Sequence, residues 1–81
     1  MNETSNLARL RWSCRRGMLE LDLLFIPFAD NVFSTLNLQD QQVFERLLES
    51  NDQELYNWLI KREPVEDQEL QLMIERVRNG A

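Results

Sequence analysis

Apolar residues recur along this chain at spacings of three and four in five separate stretches, and no stretch keeps up a period-two alternation. That pattern predicts amphipathic helices throughout and no strands. The clearest stretch is the last, about Asp67 to Arg78, where Leu70, Met73, Ile74 and Val77 fall at i, i+3, i+4 and i+7 and Gly80 supplies a stop. A first helix is expected from about Leu7 to Arg15, capped by Ser5 or Asn6, with Leu7, Leu10 and Cys14 on its apolar face. A second, about Met18 to Phe33, carries the stripe Met18, Leu21, Phe25, Phe28 and Val32, with Leu23 and Leu24 partly off it.

Pro27 lies inside the second stretch. Proline in a helix interior removes one hydrogen bond and crowds the preceding turn, so a kink or break is expected near Ile26. Beyond a polar turn from Ser34 to Asn37, a third helix from about Leu38 to Glu49 would bury Val43, Phe44, Leu47 and Leu48, with Asn37 as its cap. A fourth begins at Asn51 or Asp52, buries Leu55, Trp58 and Leu59, and stops before Pro64. In the last helix the acids Glu66, Asp67 and Glu69 sit at the N-terminus and Arg76 and Arg78 near the C-terminus, which complements the helix dipole. The expected fold is all-α: a compact five-helix bundle forming a single domain over residues 1–81, with its core at about 6–78.

Composition narrows the chemistry. At 81 residues with 43% apolar and 28% charged, the chain has ordinary globular composition and room for one small core. It has no histidine and one cysteine, Cys14, so no metal site can be built from His and Cys. Its two glycines cannot supply a G-x-G-x-x-G or a P-loop. A lone cysteine suits a reducing compartment, and no run reaches the roughly 20 apolar residues of a membrane span, so a cytoplasmic protein without membrane insertion is expected. The arginine-rich start has the composition of a transit peptide, but it runs directly into the glycine turn and supplies apolar residues at helical spacing, so it reads as part of the domain.

Charge is unevenly placed. Arg9, Arg11, Arg15 and Arg16 against Glu3 give residues 1–16 a balance of +3, while residues 17–81 carry five bases against thirteen acids, a balance of −8. Such a two-ended chain suits an oriented protein partner better than nucleic acid, whose footprint is an excess of basic residues, although a solvated helix face carrying arginines explains the first segment equally well. Gly17, the one glycine away from the C-terminus, falls between Arg16 and Glu20. It implies a left-handed or sharply turned backbone, or close approach by another molecule. Trp58 reads as core and Trp12 as a partly exposed edge, while Cys14 reads as a small core residue rather than a reactive thiol.

The combination Trp12-Ser-Cys14-Arg-Arg16-Gly17-x-x-Glu20-Leu-Asp22, then Phe28, Leu47-Leu-Glu49 and Asp52-x-x-Leu55-x-x-Trp58-Leu59 resembles the succinate dehydrogenase flavinylation factor family, whose signature is R-G-x-x-E. The resemblance covers about residues 6 to 75. It implies a five-helix assembly chaperone, not an enzyme, that binds the flavoprotein subunit of succinate dehydrogenase, and of fumarate reductase in bacteria. It also implies that covalent attachment of FAD to a histidine of that partner is promoted, with no FAD bound independently by the chaperone, which would act as a monomer. On the resemblance, Arg16, Gly17 and Glu20 are the signature residues, with Arg9, Met18 and Asp22 as neighbours on a partner-binding surface. Some relatives are also described as the antitoxin CptB, so the alternative function is neutralisation of a small membrane-associated toxin. Taken without the resemblance, Arg16 and Glu20 could form an exposed i, i+4 ion pair and Gly17 a simple helix stop. The stretch Lys61 to Glu63 departs from the family pattern in lacking a glycine, which puts the turn before the last helix in question.

Overall fold

The computed structural model describes residues 3–80, with side chains from residue 9 onward. Five α-helices follow one another: α1 (Glu3–Cys14), α2 (Leu19–Asn31), α3 (Leu38–Leu48), α4 (Asp52–Leu59) and α5 (Gln68–Asn79), with a 3-10 turn at Phe33–Thr35 between α2 and α3. No strand occurs among the described residues. No helix among them is long and apolar enough to cross a membrane. Central to the packing is α2, which lies against α1, the 3-10 turn, α4 and α5, while α3 packs on α5 and α1.

The helix boundaries follow local chemistry where caps are present. Asn37, Asn51 and Asp67 each accept a hydrogen bond from the backbone N–H three residues on, at 2.8, 2.8 and 3.1 Å, and so start α3, α4 and α5. Gly80 ends α5 in the left-handed conformation with φ 75°. The bounds of α1 and α2 differ from the sequence expectation, α2 running from Leu19 to Asn31 rather than from about Met18 to Phe33. α1 already begins at Glu3, so Ser5 and Asn6 lie within the helix rather than capping it, and it ends at Cys14. Leu7, assigned to the apolar face, lies outside the described side chains.

The break expected at Pro27 does not occur, for α2 continues through it to Asn31. Pro27 and Leu23, whose carbonyl the proline leaves without its helical donor, both face solvent. Water can satisfy that carbonyl, and burial of Leu21 and Phe25 before the proline and Phe28 and Ala29 after it holds the helix together. Leu21, Phe25 and Phe28 each contribute about 1.5 to 3 kcal/mol on burial, enough together to outweigh the roughly 3 kcal/mol proline cost.

One core contains Leu10 and Cys14 of α1, the buried face of α2, Leu36, Val43, Phe44, Leu47, Leu48, Leu55, Leu59, Met73, Ile74 and Val77. Phe44 is at its centre, its ring 6.0 Å from Phe25, 5.1 Å from Phe28 and 5.6 Å from Phe33. These tilted and edge-on arrangements suit the aromatic quadrupole and tie α2, the 3-10 turn and α3 to one residue. Met18, Val32, Leu70 and Trp58 are half-buried at the margin, so Trp58 is a partial rather than a full core residue.

The glycine missing from Lys61 to Glu63 has a visible consequence. Arg62 takes φ 62°, the single non-glycine residue with positive φ among those described, where Glu63 N–H reaches back to the Asn57 carbonyl at 3.0 Å to close the α4 end. Left-handed backbone costs a residue with a Cβ roughly 1 to 2 kcal/mol, and glycine gives part of that back as unfolded-chain entropy. Arg62→Gly is therefore expected to stabilise the protein by about 0.5 to 1 kcal/mol, read as a rise of several degrees in a thermal melt. A lowered melting temperature would show that the arginine side chain contributes more there than its backbone costs.

Candidate functional site

The signature residues meet at the corner between α1 and α2. Arg15 to Met18 lie outside both helices, and Gly17 adopts φ 75°. A Cβ built at Gly17 would meet nothing within 4 Å, so the requirement for glycine is conformational and not a matter of space. Met18, extended at φ −118° and ψ 112°, is the N-cap of α2 without a side-chain acceptor, and its carbonyl takes the N–H groups of Leu21 at 3.1 Å and Asp22 at 3.0 Å. Asp22 turns its carboxylate back to accept the backbone N–H of Arg16 at 2.8 Å. The segment from Arg16 to Asp22 is thereby closed on itself, and Glu20 and Asp22 place negative charge at the positive end of the α2 dipole.

Arg16 does not face solvent. Only 16% of its side chain is exposed, and its guanidinium reaches across to the junction of α3 and α4. It donates to the Leu48 carbonyl, to the Ser50 carbonyl at 3.4 Å and to Asp52 Oδ1 at 3.4 Å. The Leu48 carbonyl closes the last turn of α3 and Asp52 opens α4, so the cation lies between the negative end of one helix dipole and a carboxylate. The exposed Arg16–Glu20 pair allowed by the sequence does not form, because Arg16 lies outside the helix that carries Glu20 and the i, i+4 rule does not apply to it. Asp52 was missed as a member of the site because it is 36 residues away from Arg16, with no local spacing rule to link them.

Around this corner the surface has both charge and apolar area. The side chain of Glu20 is exposed and makes no hydrogen bond or ion pair among the described residues, and the same holds for the side chains of Arg9 and Arg15. Arg11, by contrast, is engaged, with Nε 2.5 Å from Asp30 Oδ1 of α2. Arg9 stands apart from the corner, over a cleft between α1 and α3 that Leu10, Phe33 and Leu48 also line. Leu19 (69% exposed) and Leu23 (65%) lie one turn apart on α2, and Trp12 on the last turn of α1 is 73% exposed. Met18 is half-buried against the core, and Asp22 is half-buried by its bond to Arg16. Arg16, Gly17, Met18, Glu20 and Asp22 are thus gathered in one place; Gly17 and Glu20 are exposed there, while Arg16 and Asp22 hold its shape.

Cys14 lies directly beneath this corner, fully buried, and burial pushes its thiol up from 9.0 to about 11, with the Arg16 charge pulling weakly the other way. A neutral, enclosed thiol is a poor nucleophile, so the side chain acts as packing. Among the described residues no group of His, Cys, Asp and Glu is arranged to hold a metal ion.

What this fold and corner define is a small helical protein suited to presenting a clamped surface to another molecule. The sequence model of the family described as "Flavinator of succinate dehydrogenase" matches residues 8–81. The chain is 52% identical to the FAD assembly factor SdhE of Shewanella oneidensis over 79 residues, 98% of this chain and 96% of the relative. It is 53% identical to the protein of that name from Colwellia psychrerythraea over 72 residues (89% and 79%), and 47% to that from Pseudomonas putida over 74 (91% and 88%). The chain belongs to this family of flavinators of succinate dehydrogenase, which are assembly factors and not catalytic enzymes.

Two outcomes follow from the corner's geometry. Arg16→Ala should cost about 1 to 3 kcal/mol in denaturant unfolding, because it strips donors from helix-end carbonyls and leaves Asp52 unpaired, whereas Glu20→Ala should stay within about 0.5 kcal/mol of wild type. Equal effects would mean that Arg16 contributes no more to the fold than an ordinary surface residue. For Cys14, the folded pKa lies above the unfolded one, so its contribution is fully present below about pH 9 and is lost as pH rises toward about 11. Between pH 8 and pH 11 the wild type should lose on the order of 2 kcal/mol more than Cys14→Ala, which lacks the titrating group.

Proposed function

We infer that this protein binds the flavoprotein subunit of succinate dehydrogenase, and that of fumarate reductase, and promotes covalent attachment of FAD to a histidine of that partner. The contact surface is the α1–α2 corner with Arg16, Gly17, Met18, Glu20 and Asp22, extended along α1 to Arg9. Family membership supports the partner class. The observation that carries the choice of surface is the contrast at the corner: its backbone is closed by Asp22 and clamped by Arg16, yet Glu20 is left exposed with no internal partner. A charge held on rigid backbone and unused by its own fold is available to another molecule at little ordering cost.

The attachment chemistry belongs to the flavoprotein, and this protein acts by stabilising a conformation of that partner competent for it. It works as a monomer in the cytoplasm and binds no FAD by itself, since its sequence offers no phosphate-cradling loop. Within the surface the residues divide their work. Glu20 and Arg9 supply charge to the partner, Gly17 and Met18 supply backbone shape, and Arg16 and Asp22 hold that shape from inside.

Glu20→Ala should abolish or strongly reduce covalent flavin on the partner, seen as fluorescence of the flavoprotein band in a denaturing gel, with the melting temperature of the assembly factor unchanged. Gly17→Arg should also fail, but with a stability loss of about 1 to 2 kcal/mol from its left-handed backbone, so Gly17→Asn, which tolerates that conformation, is the cleaner control. Calorimetric titration of FAD into the isolated protein should give no heat of binding. Normal flavinylation with Glu20→Ala would remove this corner as the working surface, and tight stoichiometric FAD binding would make the protein a flavin carrier instead.

A further inference from the structure

We propose that Asp52, on the first turn of α4, is a positioning residue for partner binding that acts through Arg16 and does not itself touch the flavoprotein. The inference rests on the proposed function. Beside the core contacts of Cys14 and Met18, Arg16 is the polar attachment of the corner to the rest of the molecule: its backbone N–H is held by Asp22 at 2.8 Å, and its guanidinium is held by the Leu48 and Ser50 carbonyls and by Asp52. Carbonyls accept from any donor that reaches them and carry only partial charge. Among the described residues, Asp52 is the single full negative charge within ion-pair distance of the Arg16 guanidinium, at 3.4 Å.

The geometry has a direct consequence for Gly17 to Glu20. Gly17 has no side chain to anchor it, and nothing lies within 4 Å of where its Cβ would be, so the position of this turn depends on the residues either side. Downstream it is continuous with α2, which is fixed by Leu21 and Phe25 in the core. Upstream it depends on Arg16. With Asp52 neutralised, the guanidinium keeps acceptors on α3 but loses the charge that draws it toward α4, and the Arg16–Gly17 segment gains alternative positions. Glu20, in the first turn of α2, would then be presented to the partner beside a turn that has to be ordered on binding.

The test compares Asp52→Asn, Asp52→Glu, Arg16→Gln and the Asp52→Asn/Arg16→Gln double variant with wild type, using the isolated flavoprotein subunit as the binding partner. Asp52→Asn should weaken binding by about five- to ten-fold at a temperature where all variants remain folded by circular dichroism, and Asp52→Glu should restore most of it. In the Arg16→Gln background, Asp52→Asn should have no further effect, because its route to the surface has been removed. On the protein alone, amide hydrogen exchange at Gly17 to Glu20 should speed up in Asp52→Asn while the α5 amides around Ile74 keep their protection. Wild-type affinity in Asp52→Asn overturns the proposal. An equal loss of affinity in both Arg16 backgrounds also overturns it, since Asp52 would then contact the partner directly. Failure of the assembly reading looks different, because the wild-type protein itself would not bind the flavoprotein, and the positioning role would fall with it.

Discussion

The packing of this small protein depends on Phe44. Rings from α2 and from the 3-10 turn converge on it, and it is fully buried on a helix whose opposite face carries the exposed residues Gln42 and Glu45. In a chain with room for only one core, a single large side chain that touches three segments fixes the angle of α2 against α3. Since α2 also packs on α1, α4 and α5, that angle sets the frame within which the remaining helices take their places. The continuity of α2 through Pro27 belongs to the same constraint, because the proline falls on the side turned away from these rings.

Arginines then do at the helix ends what phenylalanine does in the core. Arg16 reaches the C-terminal carbonyl of α3, and Arg78 of α5 donates to the Trp58 carbonyl near the C-terminus of α4 at 3.0 Å. Arg46, in the last turn of α3, meets Asp67 and Glu69 at the N-terminus of α5, at 2.8 and 3.4 Å. Each places a cation where carbonyls or carboxylates gather at a helix end, which satisfies groups that a short helix leaves unpaired. The exposed pairs contribute little individually. The partly buried Arg16 contributes more, because water is largely kept from its partners.

This arrangement changes how the R-G-x-x-E signature is understood. Read as a surface motif, its arginine and glutamate belong to the same function. In the structure they separate: Arg16 and Asp22 face inward and determine the shape of the turn, Gly17 permits it, and the Glu20 side chain is exposed without a partner among the described residues. On the proposed function, a signature of this kind couples folding and binding within a few residues, so loss of activity on mutation would not by itself distinguish a lost contact from a displaced one. Asp52 belongs to the same unit although it lies outside the signature.

Much of this was legible along the chain. The caps Asn37 and Asn51, the buried stripes of α3 and α5, the left-handed Gly17 and the inert Cys14 follow from rules that act within four residues, where side chain and backbone meet without help from the rest of the fold. Family resemblance carried the function, which no spacing or composition could have supplied. Tertiary structure alone decided what lies across helices. Whether Pro27 breaks α2 depended on which side of the helix meets the core, Arg62 took a left-handed turn because the chain had to close α4, and Arg16 chose the α3–α4 junction over Glu20 because the corner places it outside any helix. Those outcomes are balances between local cost and contacts made in the folded chain, which for Arg16 join residues 32 to 36 apart in sequence.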